Sequence, residues 1–165
     1  MDTKLIILRG PSGSGKSTIA NILPQRSKYK FATVEQDMFR QTILHNQLGA
    51  RELSATLCKN SIIECLESGF SVIAEGIFNA KNYKQIFDAI IKNHPNNNYA
   101  YYFDVSFEET IRRHKTRDKK HQFNSEDMKP WYKSASPLGY DFESVINENH
   151  SIEDSINKII QETGI

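Results

Sequence analysis

The chain has 165 residues, of which 38% are hydrophobic and 25% charged, a composition typical of one globular domain with a sizeable core. Its formal net charge of +1 gives no global argument for binding nucleic acid or a membrane, so any electrostatic site must be local. The apolar run at residues 5–8 is too short for a signal segment or a membrane span, and no other run comes close. We therefore expect a cytoplasmic protein that does not contact a membrane.

Short apolar runs alternate with helical patterns along the chain. A strand is predicted over residues 4–8, whose continuous apolar run at 5–8 indicates burial on both faces, and a glycine-rich turn follows at residues 10–15. The other predicted strands are residues 31–34, 71–74, 99–105 and 143–146. The predicted helices are residues 17–23, 37–48, 51–68, 80–92, 106–113, 125–133 and 151–162.

The spacing of apolar residues predicts which helix faces are buried. In the helix over 51–68 the predicted core positions are Leu53, Leu57, Ile62, Cys65 and Leu66. In the helix over 80–92 they are Tyr83, Ile86, Phe87, Ile90 and Ile91. Gly69 is predicted to follow the end of the first of these helices, and Ser106 with Glu109 has the spacing of a capping box.

The two cysteines are predicted to be free thiols in the core. Cys58 and Cys65 are seven residues apart on one predicted helix, which separates their Cα atoms by about 10 Å at the rise of an α-helix. Because that distance exceeds the reach of a disulfide, we expect both side chains to pack as small hydrophobic residues.

Strands that alternate with helices predict an α/β fold. We expect a single domain over residues 1–165, with a five-stranded, mostly parallel sheet and helices on both faces. Ligands of such sheets bind at the carboxyl ends of the strands. The candidate site residues fall at those ends or in a polar, basic stretch, at about residues 113–135, that is predicted to form a helical lid.

Residues 10–17 match the phosphate-binding pattern G-x-x-x-x-G-K-[ST] in full, between a predicted strand and a predicted helix. Glycines let the backbone approach a phosphate, and successive N–H groups form an anion nest. Lys16 can then reach the β- and γ-phosphates, and the Ser17 hydroxyl can ligate Mg²⁺, so the motif predicts a P-loop that binds ATP with Mg²⁺. The predicted nucleotide-binding residues are Gly10, Pro11, Ser12, Gly13, Ser14, Gly15, Lys16, Ser17 and Thr18.

The phosphate-binding loop alone does not separate kinases from other nucleotide hydrolases. An Asn-Lys-x-Asp stretch for guanine is missing, because Asn157 and Lys158 are followed by two isoleucines, and nothing resembles a transporter ATPase signature. The histidines and cysteines do not have metal-ligand spacing, so the only metal predicted is the Mg²⁺ carried by the nucleotide. What remains is a small kinase that acts on a metabolite or a nucleic acid.

Two strand ends carry candidate acceptor-binding residues. Asp37 and Arg40 follow the second strand three residues apart, and a carboxylate there can accept the proton of an attacking hydroxyl while the arginine holds it or the acceptor. Glu75 ends the third strand, where it can bind the acceptor or hold Mg²⁺ through water. The alternatives are a helix N-cap for Asp37, a solvated helix face for Arg40 and a strand-terminal charge in solvent for Glu75.

A basic stretch follows the fourth strand. Arg113 and Arg117 are predicted to neutralise charge that develops on the transferring phosphoryl group, although basic residues also suit a helix C-terminus. Trp131 and Tyr132, further along the predicted lid, either stack on a substrate or pack a short helix onto the body, and we favour packing. Residues 147–149 are candidates for contacts with adenine.

The loop at residues 10–18, together with the Asp37-Met38-Phe39-Arg40 run, resembles the phage polynucleotide 5′-hydroxyl kinase domain. The wider group of similar P-loop kinases includes gluconate kinases, antibiotic phosphotransferases and zeta-type toxins. By that resemblance Asp37 is the general base, Arg40 is its partner, and Arg113 and Arg117, four residues apart, contact the donor phosphates. The chain departs from the polynucleotide kinase pattern at Glu75 and over residues 123–141.

These observations predict an ATP- and Mg²⁺-dependent kinase with a hydroxyl acceptor. The acceptor stays open between a nucleic acid 5′ end and a small molecule such as a sugar, a nucleoside or an antibiotic. Other possibilities are a regulatory ATPase or switch without an acceptor, and a degenerate nucleotide-binding module. The predicted catalytic residues are Lys16, Asp37, Arg40, Arg113 and Arg117, with Asp37, Arg40 and Glu75 binding the acceptor.

Overall fold

A five-stranded sheet forms the centre of the computed structural model, which describes residues 2–115, 125–133 and 136–165. The strands are β1 (Leu5–Arg9), β2 (Phe31–Glu35), β3 (Ser71–Gly76), β4 (Asn98–Asp104) and β5 (Glu143–Asn147). Their spatial order is β2-β3-β1-β4-β5, and every neighbouring pair is parallel. The predicted α/β fold is confirmed, with a sheet that is parallel throughout rather than mostly parallel.

Helices follow each strand in turn. They are α1 (Lys16–Ile22), α2 (Ala50–Glu67), α3 (Ala80–Asn93), α4 (Phe107–His114), α5 (Ser125–Lys133) and α6 (Ile152–Thr163). A short 3₁₀ segment, Leu23–Arg26, continues α1, and Pro24 lies in its first turn, where a missing N–H is tolerated. Most element ends lie within one or two residues of the sequence predictions.

The central strand β1 is buried completely and divides the core in two, because successive side chains of a strand point to opposite faces. Leu5 and Ile7 pack with residues of α2 and α3 on one face. Ile6 and Leu8 pack with residues of α1 and α6 on the other. Helices therefore cover both faces of the sheet. The candidate site residues lie in the loops at the carboxyl ends of the strands.

The buried face of α2 differs from the predicted one. Ile62 and Leu66 are buried as predicted, but Leu53 is 48% exposed. The buried positions recur every four residues, so α2 contacts the sheet along a single i, i+4 ridge; they are Ala50, Ser54, Cys58, Ile62 and Leu66. The predicted stripe of α3 is confirmed, with Tyr83, Phe87 and Ile90 buried.

The helix predicted over residues 37–48 is wrong in type and in length. A single π-helical turn spans Met38–Ile43 and is closed by the Leu44 N–H donating to the Phe39 carbonyl at 2.9 Å. His45 and Asn46 then take left-handed backbone conformations, with φ of 49° and 54°. Both residue types are tolerated there, and two such residues in succession end the helix.

The capping box predicted at Ser106 is only half formed. The Ser106 hydroxyl accepts from the Glu109 N–H at 3.4 Å, but the Ser106 N–H donates to Glu148 Oε2 at 2.9 Å instead of to Glu109. The Glu109 carboxylate binds two arginines of its own helix, Arg112 and Arg113. A complete capping box lies at α6 instead, where Ser151 and Asp154 exchange both bonds.

Cys58 and Cys65 are free thiols, as predicted, and Cys58 is buried while Cys65 is only partly so. Gly69 follows α2 in a left-handed conformation with φ of 83°, as predicted for the residue after a helix end. Within the three described ranges, none of the helices is both long enough and apolar enough to cross a membrane.

Candidate active site

The loop between β1 and α1 packs so closely against the fold that two of its positions exclude a side chain. Gly10 has φ of 140°, and a Cβ built there would lie 2.7 Å from the Phe103 carbonyl oxygen. Gly13 has φ of 86°, and its Cβ would lie 2.9 Å from the Thr110 carbonyl oxygen. Glycine is required at both positions because L side chains disfavour these φ values and the space is occupied by backbone. The loop is thereby held against β4 and α4.

Lys16 places its ammonium group inside this loop. The side chain is only 5% exposed, and Nζ donates to the Pro11 carbonyl at 2.8 Å and to Ser14 Oγ at 3.3 Å. Nζ also lies 3.8 Å from Glu75 Oε1, at the end of the neighbouring strand β3. The cation therefore joins the phosphate-binding loop to the carboxylate of the third strand.

Glu75 is a buried carboxylate among other charges. Burial raises its pKa above the ordinary value, and Glu35 and Asp37 raise it further, whereas Lys16 and the Ser17 hydroxyl lower it. Glu35 is the direct register partner of Glu75 across β2 and β3. Carboxylate and hydroxyl oxygens are ligands that suit Mg²⁺, so Glu75 and Ser17 are the residues here that fit the metal of a bound nucleotide.

Asp37 and Arg40 are brought together at the start of the π-helical turn. Arg40 Nη2 donates to Asp37 Oδ1 at 3.1 Å, and the Asp37 side chain is 59% exposed. Arg40 Nε is buried without a hydrogen-bond partner among the described residues. Asp37 is thus a solvent-accessible carboxylate beside Glu75. Arg40 binds it through Nη2, while the Nε–H group of Arg40 is not used in this pair.

Arg113 contacts the phosphate-binding loop from α4. Its Nη1 donates to the Ser14 carbonyl and its Nη2 to the Glu148 carbonyl, both at 3.0 Å, while Nε donates to Glu109 Oε1 at 2.6 Å. Hydrogen bonds from Arg112 and Arg113 lower the pKa of Glu109 to about 2. Arg113 therefore joins the loop to residues 147–149, the predicted adenine-contacting segment. Arg117, its predicted companion, lies outside the described residues.

The described part of the predicted lid packs beside the loop. Met128 of α5 is buried, and its Cε would lie 3.5 Å from a Cβ at Gly13. The Tyr132 ring lies 5.3 Å from the Phe107 ring of α4, between centroids. For Tyr132 this contact agrees with the packing interpretation. Residues 116–124 and 134–135 of the predicted lid lie outside the described residues.

Two residues near the site were not singled out from the sequence. Arg9, the last residue of β1, is fully buried, donates to the Phe78 and Ser136 carbonyls and forms an ion pair with Glu143 at 3.2 Å. Gln36, between Glu35 and Asp37, donates to the Tyr83 hydroxyl and accepts from a backbone N–H. The sequence did contain one sign of Arg9, because an arginine ends the otherwise apolar run of β1. It contained no comparable sign of Gln36.

A phosphate-binding loop after the central strand of a parallel sheet in the order β2-β3-β1-β4-β5 gives the chain the fold of a P-loop kinase. The chain belongs to the AAA domain family AAA_33, whose model matches residues 5–138. The resemblance to the group of small P-loop kinases is confirmed at this level. Among curated proteins, none matches the chain.

Solved structures with the same fold include several kinases. A gluconokinase from Sinorhizobium meliloti has a TM-score of 0.74 at 16% identity, covering 98% of this chain and 91% of its own. The APS kinase CysC of Mycobacterium tuberculosis, in complex with AMPPNP and APS, has a TM-score of 0.72 at 14% identity, covering 96% of both chains. The tunicamycin resistance protein of Deinococcus radiodurans has a TM-score of 0.70 at 16% identity, covering 99% and 96%.

Proposed function

We propose that the protein is a kinase that transfers the γ-phosphoryl group of Mg·ATP to a hydroxyl group of a small molecule. The proposal rests on one observation: the residues expected to bind the phosphate donor and those expected to bind the acceptor lie at the same edge of the sheet. Lys16 and Glu75 lie 3.8 Å apart at the phosphate-binding loop, and the Asp37–Arg40 pair follows the adjacent strand. The similarity of the fold to gluconokinase and APS kinase supports the same conclusion.

The donor half consists of the loop and its lysine. Backbone N–H groups of the loop bind the phosphates, and Lys16 neutralises charge on the β- and γ-phosphates. Ser17 and Glu75 would hold the Mg²⁺ of the nucleotide, which would supply further charge neutralisation. Arg113, which already contacts the Ser14 carbonyl, fixes the loop against residues 147–149, where we place the adenine.

The acceptor half consists of Asp37 and Arg40. The acceptor oxygen attacks the γ-phosphorus, the bond from that phosphorus to the bridging oxygen of ADP breaks, and the hydroxyl proton passes to the Asp37 carboxylate. Arg40, whose Nη2 lies 3.1 Å from Asp37 Oδ1, orients the carboxylate. From its sequence resemblance alone, we assign Arg117 the role of a second arginine that neutralises charge on the phosphoryl group.

The charges at the acceptor edge favour an acceptor without phosphates. Glu35, Asp37 and Glu75 place three carboxylates there against two cations, because Lys16 is paired with Glu75 and Arg40 with Asp37. Like charges disfavour the approach of an anionic substrate into such a site. A nucleic acid 5′ end, with phosphates next to its hydroxyl, is therefore the weaker candidate.

Exposed apolar side chains in the segment that follows Asp37 also favour an acceptor with an apolar part. Large hydrophobic side chains are exposed at eight positions of the described chain, and four of these lie within the stretch that follows Asp37: Met38, Ile43, Leu48 and Leu53. Exposed apolar side chains next to a site can contact the apolar part of a ligand. We therefore place a neutral, partly apolar hydroxyl compound at the acceptor site.

The test is transfer from γ-labelled ATP with Mg²⁺ to acceptors that differ in charge: a 5′-hydroxyl oligonucleotide, gluconate, free nucleosides and alkyl glucosides. We expect label on neutral acceptors, loss of all transfer in Lys16→Ala, and a fall in kcat of about 100-fold or more in Asp37→Asn with nearly unchanged ATP affinity. The matched control is Asp2→Asn, which changes an exposed carboxylate before the amino end of β1.

Each alternative has its own outcome. Preferred transfer to the oligonucleotide would keep the kinase but overturn the neutral acceptor. ATP hydrolysis without transfer, at a rate that Asp37→Asn does not change, would indicate a nucleotide-dependent switch instead of a kinase.

A further inference from the structure

The turn that follows β3 contains a residue in an uncommon backbone conformation. Phe78 has φ of 41° although it is not glycine, and its side chain is completely buried. Such conformations persist only where the surroundings fix them, and they occur often near functional sites. Phe78 lies three residues after Glu75, so whatever fixes Phe78 also fixes the end of the strand that carries the buried carboxylate.

The N–H group of Phe78 is held from β2. Gln36 Oε1 accepts from Phe78 N at 3.0 Å, and Gln36 Nε2 donates to the Tyr83 hydroxyl of α3 at 3.1 Å. Gln36 directly precedes Asp37 in the chain. Its carboxamide therefore connects the segment directly after β2, which contains Asp37, to the turn after β3 and to the start of α3.

The path of this side chain requires glycine at position 76. A Cβ built at Gly76 would lie 2.5 Å from Gln36 Oε1 and 2.6 Å from Gln36 Cβ. The volume that a side chain at Gly76 would occupy is thus filled by Gln36. The strand that carries Glu75 and the residue next to Asp37 are therefore in direct contact, without a gap in which either can shift.

The carbonyl group of Phe78 is held from β1. Arg9 donates to the Phe78 oxygen from Nη2 at 2.7 Å and from Nε at 3.2 Å. Arg9 directly precedes Gly10, the first residue of the phosphate-binding loop. The carboxyl ends of β1, β2 and β3 consequently meet at Phe78, whose N–H is bound by Gln36, directly after β2, and whose carbonyl is bound by Arg9, at the end of β1.

We propose that Gln36 and Arg9 are positioning residues that lock the turn at Phe78 and thereby set Glu75 at its distance from Lys16 and Asp37. The inference rests on the proposed function, because Lys16, Glu75 and Asp37 are the groups proposed there to act on the nucleotide, its metal and the acceptor. Gln36 and Arg9 act through Phe78 rather than on the substrate. Loss of these contacts leaves the nucleotide bound, since the loop and Lys16 are held by other contacts, but it misplaces Glu75 relative to Asp37.

The test uses the full chain with Gln36→Met, which keeps the length of the side chain and removes both hydrogen bonds. The matched control is Gln25→Met, an exposed glutamine after α1 that bonds only the Asn21 carbonyl among its recorded contacts. Binding of a fluorescent ATP analogue with Mg²⁺ gives the number of nucleotide sites and their Kd. Turnover of ATP is then measured per site, both with the best acceptor and with water alone.

We expect Gln36→Met to keep Kd within about twofold of the wild type and to lower turnover per site by about tenfold or more, because small misplacements of catalytic groups have large effects on rate. Gly76→Ala should act in the same direction from the other strand, since its methyl group displaces Gln36. Gln25→Met should match the wild type in both quantities.

A purely structural role would lower the number of nucleotide sites and leave turnover per site unchanged. Turnover per site within about twofold of the wild type in both Gln36→Met and Gly76→Ala would overturn the inference. Failure of the proposed function is recognised separately in the wild type, as hydrolysis without transfer that Asp37→Asn does not alter. Even then the inference stays testable, because Lys16 and Glu75 also serve attack by water.

Discussion

Replacing Arg9 by methionine should destabilise the fold more than any other single change at the site edge. The guanidinium is fully buried, and Glu143, its partner at 3.2 Å, is only 4% exposed. Arg9→Met leaves that carboxylate buried with a single recorded donor, the Gly139 N–H at 2.9 Å, and also removes the donors to the Phe78 and Ser136 carbonyls. Breaking a buried ion pair from one side costs about 3–5 kcal/mol.

The reverse change should cost less. In Glu143→Gln the arginine keeps three recorded contacts with carbonyl groups and lies over the Tyr102 ring, 5.2 Å from its centroid. We expect a loss of about 1.5–3 kcal/mol, the value of a hydrogen bond to a charged group. The double variant should recover part of the loss of Arg9→Met, because it removes the uncompensated buried charge.

Urea unfolding of the four proteins measures these differences as a double-mutant cycle. For a domain of this size a loss of 3–5 kcal/mol corresponds to a fall in Tm of roughly 10 °C. A loss below about 1 kcal/mol in Arg9→Met would refute the reasoning, because it would show that the buried Glu143 does not need its partner. Equal losses in the two single variants would refute the asymmetry.

Two further predictions concern titratable groups. Burial raises the pKa of the Cys58 thiol to about 12. At about pH 8 iodoacetamide should therefore label the partly exposed Cys65 first and Cys58 only on unfolding, as measured by mass spectrometry of the native protein. Equal labelling of the two thiols would contradict the burial of Cys58. The pKa of Glu109 is lowered to about 2 by its two arginines, so its contribution to stability is complete above its ordinary pKa and is lost as the pH falls through 2. The Tm difference between wild type and Glu109→Gln should accordingly be constant near neutral pH and shrink below about pH 4, and a difference independent of pH would exclude this linkage.

The strands and the phosphate-binding loop could be predicted from the sequence because their signals are local. A continuous apolar run followed at once by Gly10 and its motif specifies both the buried strand β1 and the turn after it. The stripe of α3 was equally readable, since Tyr83, Phe87 and Ile90 recur at helical spacing. The error at Leu53 of α2 has a different cause: Leu53 fits the apolar period, but the first turns of the ridge that contacts the sheet are filled by the small residues Ala50 and Ser54.

The contacts around Phe78 could not be predicted, because they join residues far apart in the chain. Gln36 and Phe78 are separated by 42 positions, and Arg9 and Phe78 by 69. Neither pair belongs to a motif, and the left-handed conformation of a phenylalanine runs against the local preference of that residue. The π-helical turn after Asp37 was missed for a related reason, since its helical pattern does not reveal a closing bond between residues five apart.

The energies of these contacts explain why the turn at Phe78 can be both strained and stable. A left-handed non-glycine residue costs about 1–3 kcal/mol, and each of its three hydrogen bonds returns about 0.5–1.5 kcal/mol. The buried ring adds further stability through edge contacts with Tyr83 and Phe87, at 5.0 and 5.1 Å between centroids. Removing the Gln36 amide therefore takes away about a third of the hydrogen bonding while the ring stays anchored. The chain should then still fold, with a turn that is held less firmly, and this is why Gln36→Met is expected to change the rate per site more than the number of sites.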